Sequence, residues 1–163
     1  DRNMVFKKID ALSFLLKTKK KFDLILIKQT VHLLKFNQIR KLINLCRQRL
    51  TVKGKIIILS LDPERNELPI FSLMKTKINN SFKRDKKIFS LINSLENKVV
   101  KKRFNFKVKI SKKKYLHMIK EKYISTLLSF SKKQILTGIK EIDLRYNKTL
   151  IFNDKLICFN LNK

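Results

Sequence analysis

The tetrapeptide run Leu24-Ile25-Leu26-Ile27 gives way at once to Lys28-Gln29-Thr30, and a histidine, His32, follows three residues beyond Gln29. A buried strand that ends on a polar cluster is the pattern of an open α/β sheet, in which ligands sit beyond the carboxyl ends of the strands. Imidazole titrates near neutrality, so His32, held beside a reacting atom that bears a proton, can serve as a general base. The competing role is a histidine at a helix start that packs or caps a turn, and we favour it. Lys28 can meet a carboxylate, although one lysine among so many carries little information. The second histidine, His117, lies in a basic helical stretch and reads as a surface residue. Cys46 and Cys158 form no CxxC pair and have no histidine at ligand spacing, so they read as reduced, mostly buried thiols rather than a disulfide or a metal site. No metal is expected.

These residues are positioned by the elements around them. Val5-Phe6-Lys7-Lys8-Ile9 is short and β-prone, and Asp10-Ala11 ends it. Leu12, Leu15 and Leu16 share one face of a short helix, and lysines at 17–21 lead into the first apolar strand, 22–28. Between 35 and 50, Phe36, Ile39, Leu42, Ile43, Cys46 and Leu50 recur at helical spacing. "TVKGKIIILSLDP" then predicts a turn at Gly54 and a second apolar strand, 56–61, closed by Asp62-Pro63. A helical region follows Pro69 and continues to about Asn97. "FNFKVKI" (104–110) alternates, with Phe104, Phe106, Val108 and Ile110 facing the sheet's covered side and Asn105, Lys107 and Lys109 facing water. Helices are predicted near 112–121 and over 132–145, the latter with Ser131 as N-cap. "TLIFNDKLICFNLN" closes the chain as a strand with a turn or bulge at Asn153-Asp154. Two strands read as buried on both faces, joined by one helix, make a parallel βαβ unit, and the antiparallel strands come last.

The 163 residues amount to about one domain, and 44% hydrophobic composition suffices for a core. The net charge of +28 invites a nucleic-acid reading. The cations are 32 Lys against 8 Arg, however, and the chain has one Ala, two Gly, two Pro and no Trp. Enrichment in Lys, Ile, Asn and Phe with loss of Ala, Gly, Pro and Arg is what drift toward A and T produces codon by codon, whereas a dedicated nucleic-acid binder draws on the bidentate fork of Arg. Drift over a solvated surface is the reading we favour; a selected polyanion surface is the alternative. No apolar run approaches the roughly 18 residues that span a bilayer, and the chain does not open on a signal peptide. The expectation is a soluble, cytoplasmic protein with no membrane partner.

In "IDALSF" (9–14), "FDLILIKQTVHLL" (22–34), the helix to Arg49 and "LTVKGKIIIL" (50–59), the chain resembles the class I S-adenosylmethionine-dependent methyltransferases. The last stretch is similar to the family's leucine-x-proline-glycine-glycine turn, with Val52 and Lys53 in place of the proline and first glycine. "KEKYISTLLSFSKKQILTGIKEI" (120–142) and "LIFNDKLICF" (150–159) look like the C-terminal part of small-molecule members. The family's glycine-rich cofactor turn has no counterpart, since the only glycines are Gly54 and Gly138. The resemblance therefore implies an incomplete Rossmann-like α/β sheet, parallel strands ending in an antiparallel C-terminal pair, in a single partial domain, 1–163. It implies S-adenosylmethionine as cofactor, with the missing N-terminal part of the same domain as a partner. A degenerate, inactive paralogue is the alternative.

The resemblance also implies roles. Asp10 and the Ala11 backbone N–H would meet the adenine, and Ile27, Lys28 and Gln29 the methionine end of the cofactor. His32 becomes the candidate base, and Tyr123 with Ser125 lie in the segment that covers the acceptor pocket, where a core tyrosine with a surface hydroxyl is the competing role. The acceptor implied is a small molecule. The alternative function is a non-catalytic, lysine-rich nucleic-acid-binding domain using the runs at 17–21, 83–87, 101–103 and 107–114; its aromatic-basic stretch, "FNFKVKI", is set against that reading because its phenylalanines face the side the sheet should bury. The family's strand order, 3-2-1-4-5-7-6, places 22–28 parallel beside 55–61 and the closing strand between 55–61 and 103–110.

Overall fold

The computed structural model describes residues 4–62, 64–65, 67–95 and 99–163. The helices are α1 (Ala11–Lys17), α2 (Phe36–Gln48), α3 (Ser72–Ser94), α4 (Lys112–Lys120) and α5 (Lys132–Arg145). The strands are β1 (Phe22–Lys28), β2 (Leu50–Leu61), β3 (Val100–Ser111) and β4 (Thr149–Asn162), and they form one sheet in the order β1-β2-β4-β3. β1 and β2 run parallel and the later strands are antiparallel, so the fold is the incomplete Rossmann-like α/β sheet expected. β4 inserts between β2 and β3, also as expected. Pro63 and Asn97 lie outside the described residues, and α3 ends at Ser94.

The chain divides into two compact units. The first comprises Asp1–Ser60, Ile88–Lys102 and Cys158–Lys163. Its βαβ element pairs Ile25, Ile27 and Lys28 with Ile56, Ile58 and Leu59. Ile56 and Ile58 are fully buried, as are Ile39, Ile43 and Cys46 on the inner face of α2. Burial raises the Cys46 thiol to about 11, and both cysteines are free. α1 packs on α2, and Arg49 Nε donates to the Leu15 carbonyl at 3.0 Å.

The β-prone stretch 5–9 is left unpaired, one of the two outcomes expected of it where the family's first two strands are missing, and Val5 and Phe6 are exposed; an extended segment becomes a strand only by pairing. Two expectations are corrected in this unit. β1 is not buried on both faces: it ends the sheet, and Leu24 and Leu26 are 52% and 55% exposed while Ile27 is buried. Gly54 makes no turn. β2 already runs from Leu50, and between the pairs Phe22–Leu50 and Leu24–Lys55 its residues 51–54 bulge opposite Asp23. The Thr51 hydroxyl donates to Asp23 Oδ1 at 2.7 Å there. A Cβ on Gly54 would lie 2.8 Å from the Phe22 carbonyl oxygen, so close approach of the two backbones is what requires glycine.

The second unit comprises Leu61–Lys87 and Arg103–Ile157. Its core gathers Phe71, Met74 and Ile78 of the α3 region with Tyr115, Ile119, Leu127, Phe130, Ile135, Ile142, Leu150 and Phe152. α5 begins as expected at Ser131, whose hydroxyl accepts from the Gln134 N–H while Gln134 Oε1 accepts from the Ser131 N–H. Buried Tyr115 donates to the Pro69 carbonyl at 2.7 Å and meets Phe152 edge-on; desolvation raises its phenol well above the usual range.

Of the turn or bulge expected at Asn153-Asp154 there is no turn: β4 continues through it, and its buried positions change phase from 150, 152 and 156 to 157, 159 and 161, the one-residue slip that a bulge leaves in a strand. An expectation fails at the other late strand. β3 keeps its alternation but not its burial: Phe104 and Phe106 are 48% and 58% exposed, with only Val108 and Ile110 half-buried. β3 ends the sheet, and on the apolar face inferred from its sequence Phe104 and Phe106 stay about half exposed.

Candidate functional site

The carboxyl ends of β1 and β2 meet within the first unit. The last register pair is Lys28–Leu59, and one residue later the Gln29 N–H donates to the Leu59 carbonyl at 2.7 Å. Gln29 has φ 52°, a left-handed conformation uncommon outside glycine, asparagine and aspartate, and the cross-strand bond holds it there. The reversal turns the chain sharply into a single 3-10 turn, Val31–Leu33, which buries Val31 and leaves His32 half-buried and in contact with a partner. On β2 the next residue is Ser60, 5% exposed, on the same face as Ile56 and Ile58. Its hydroxyl Oγ is buried without a hydrogen-bond partner from the protein. A buried hydroxyl with no partner costs roughly 1–3 kcal/mol, so its place at a strand's carboxyl end suits a polar ligand group or water. Sequence reading passed over Ser60. The only signal was a lone polar residue on the buried phase of "IIILSL".

The other site residues are dispersed. Ile27 is a core residue paired with Ile58 in the β1–β2 ladder; Lys28 is exposed. Asp10 is the N-cap of α1, its Oδ1 accepting from the Ser13 N–H at 2.8 Å, and Ala11 is the first helical residue. The Ser13 backbone N–H, and then its hydroxyl, hold the Asp10 carboxyl below its ordinary value. Tyr123 and Ser125 belong to the second unit, between α4 and α5: Tyr123 is 69% exposed, and half-buried Ser125 opens the 3-10 turn Ser125–Ser129. His117 is exposed on α4.

Asp62, just past β2 and in the second unit, is a buried acid that sequence reading did not select. Its Oδ2 lies 3.6 Å from Arg103 Nε, and its Oδ1 accepts from the Glu64 N–H at 3.2 Å. Those partners make it a structural anion. Among the described residues no three His, Cys, Asp or Glu side chains are grouped to hold a metal, and no helix is long and apolar enough to cross a membrane.

No protein-family model and no curated protein matches the chain. Among solved structures it is similar to the crystal structure of precorrin 8W decarboxylase, the product of gene MT0146 of Methanobacterium thermoautotrophicum, with a TM-score of 0.43 and 10% sequence identity. The likeness covers 94% of this chain and 52% of that one, so the chain spans about half the length of that enzyme.

Proposed function

We propose that the chain serves S-adenosylmethionine-dependent methyl transfer to a small-molecule acceptor, as the C-terminal part of a methyltransferase domain. The observation that carries this reading is the sheet order β1-β2-β4-β3, with β1 and β2 parallel and the last strand inserted before the third. That is the 4-5-7-6 portion of the order belonging to the family that the sequence resembles. The unsatisfied Ser60 hydroxyl and the Gln29 reversal supply polar groups at the carboxyl end of the β1–β2 pair, where such a cofactor's methionine end belongs. Neither glycine lies in a turn that could approach the cofactor: Gly54 lies in β2 and Gly138 in α5. On this reading the glycine-rich turn and the ribose-binding acid come from sequence outside these 163 residues.

The cofactor, when bound, would supply a methyl group on a sulfonium, which the acceptor attacks in line as the neutral thioether leaves. The residues of this chain hold the acceptor near that methyl, which is most of what such a displacement asks. His32, half-buried next to Gln29, takes a proton only from acceptors that carry one to lose. Equilibrium dialysis with labelled S-adenosylmethionine tests the reading. The 163-residue chain alone is expected to retain none, and the chain extended by its upstream coding sequence to retain it. Retention by neither overturns the proposal; retention by the short chain alone overturns the need for a complementing part.

A further inference from the structure

The lysines of this chain are so many that none singles out a surface. The exposed phenylalanines of β3 do. Phe104 and Phe106 fall on one face of an edge strand, two residues apart and so about 6.8 Å apart along it. Both rings are about half exposed, and neither packs against another ring among the described residues. Arg103, Asn105, Lys107 and Lys109 alternate with them and are all exposed. The stretch 103–109 contains no acid. Codon drift accounts for scattered lysines on a wet surface, but an edge strand that bares two neighbouring phenyl rings on one face and cations on the other presents a distinct chemistry along its open edge: flat apolar faces backed by positive charge.

We propose that β3 is a docking strand for single-stranded nucleic acid. Bases stack on Phe104 and Phe106 on one face of the strand while the backbone follows its open edge, where Lys107 and Lys109 reach round from the opposite face to the phosphates; every base has a π-face, so the surface tolerates sequence. Arg103 contributes less, since its Nε already faces Asp62 Oδ2 at 3.6 Å. Charge selects this occupant over the obvious rival, a second copy adding β3 to β3. Such a pairing would bring Arg103, Lys107 and Lys109 of both copies together, the device by which edge strands avoid one another. A duplex fits poorly, because its bases already stack on their neighbours. The proposal is independent of methyl transfer.

Fluorescence anisotropy with a labelled oligouridine of about 12 nucleotides tests it on the full chain. The double variant F104A/F106A is expected to bind about 5- to 150-fold more weakly per lost stack, with an unchanged salt slope. K107A/K109A is expected to shallow the log–log salt slope by about 1.4, two phosphates at roughly 0.7 each. The chain has no tryptophan, so Phe106→Trp introduces a sole indole whose emission should quench on binding while affinity is kept. Heparin carries charge without bases, and F104A/F106A should bind it as tightly as the parent does. Equal oligouridine affinity for parent and F104A/F106A overturns the proposal in favour of diffuse charge. A parent dimer in sedimentation that F104A/F106A dissolves, with no loss of oligouridine binding, overturns it in favour of a second copy. Circular dichroism on each variant separates these results from misfolding, and Phe106→Trp supplies the reading if the alanine pair fails to fold.

Discussion

Gly138 shows how much a single residue can depend on a distant one. A Cβ at this position of α5 would lie 2.5 Å from Phe71 Cδ1 and 2.6 Å from Cγ, and Phe71 is 1% exposed with no room to yield. Gly138→Ala therefore overpacks the second unit's core. The expected cost is about 1–3 kcal/mol, read as a lower urea midpoint at unchanged slope, even though alanine is the better helix former. A gain in stability would show that α5 can shift off Phe71. Glu67 makes a different kind of prediction. Its carboxylate is bonded to the Lys155 ammonium and accepts from the Asn153 backbone N–H at 3.0 Å and from Asn153 Nδ2 at 2.8 Å. Those bonds, Lys155 first, hold it at about 2 against an ordinary 4.5. A depressed acid stabilises the fold above its unfolded pKa and loses that contribution as pH falls toward its folded one. Thermal midpoints taken from about pH 5 to about pH 2 should thus fall more steeply for the parent than for Glu67→Gln. Parallel slopes would remove Glu67 from the acid transition. Neither residue was legible as a partner in the sequence, because Phe71 and Asn153 meet them only through tertiary packing. The Ser131 cap was legible, because its partner Gln134 stands three residues away.

Elements were legible where their determinants are local, and misjudged where position in the sheet decides. Helical spacing gave α2, the Ser131 cap gave α5, and the apolar runs gave β1 and β2 as a parallel pair. The same apolar run made β1 look buried on both faces, yet an edge strand with Leu24 and Leu26 half exposed has the identical sequence. Phe104 and Phe106 were misread in the same way, since alternation names a face and cannot say what covers it. The site divides likewise: the Gln29 reversal and its neighbours followed from the end of a strand, while Ser60 required knowing which phase of β2 is buried and left unpaired. β1 carries its own consequence. Its outer edge is unpaired, and apolar edge strands template association. Leu26→Lys, at a position already 55% exposed, should raise the concentration at which light scattering first grows, with little change in the unfolding midpoint. Unchanged scattering would place the association surface elsewhere. Ser131→Ala removes the hydroxyl half of the α5 capping box and should cost about 1 kcal/mol by urea unfolding.

Across the whole molecule, 40 basic side chains face 12 acidic ones, and the net charge is +28. Ion pairs such as Lys112–Asp143 and Arg145–Glu141, both at 2.7 Å, engage acids that the cations far outnumber. Pairs at the surface contribute about 0–1 kcal/mol each and weaken with salt. The repulsion among the surplus cations opposes the compact state, and salt weakens that as well. The two effects have opposite signs, and the imbalance decides between them: at most 12 acids can be paired, which leaves at least 28 cations repelling one another. Raising ionic strength to about 0.1 M shortens the screening length to about 10 Å, enough to damp repulsion between distant charges while sparing contacts at pairing distance. The thermal midpoint of the chain should therefore rise as sodium chloride is increased from low concentration, by calorimetry at neutral pH. A midpoint that falls over the same range would mean that the ion pairs carry more of the stability than the charge surplus removes. A midpoint that does not move would mean that the two effects cancel over this range, so that the surplus of cations costs the fold no more than its surface ion pairs return.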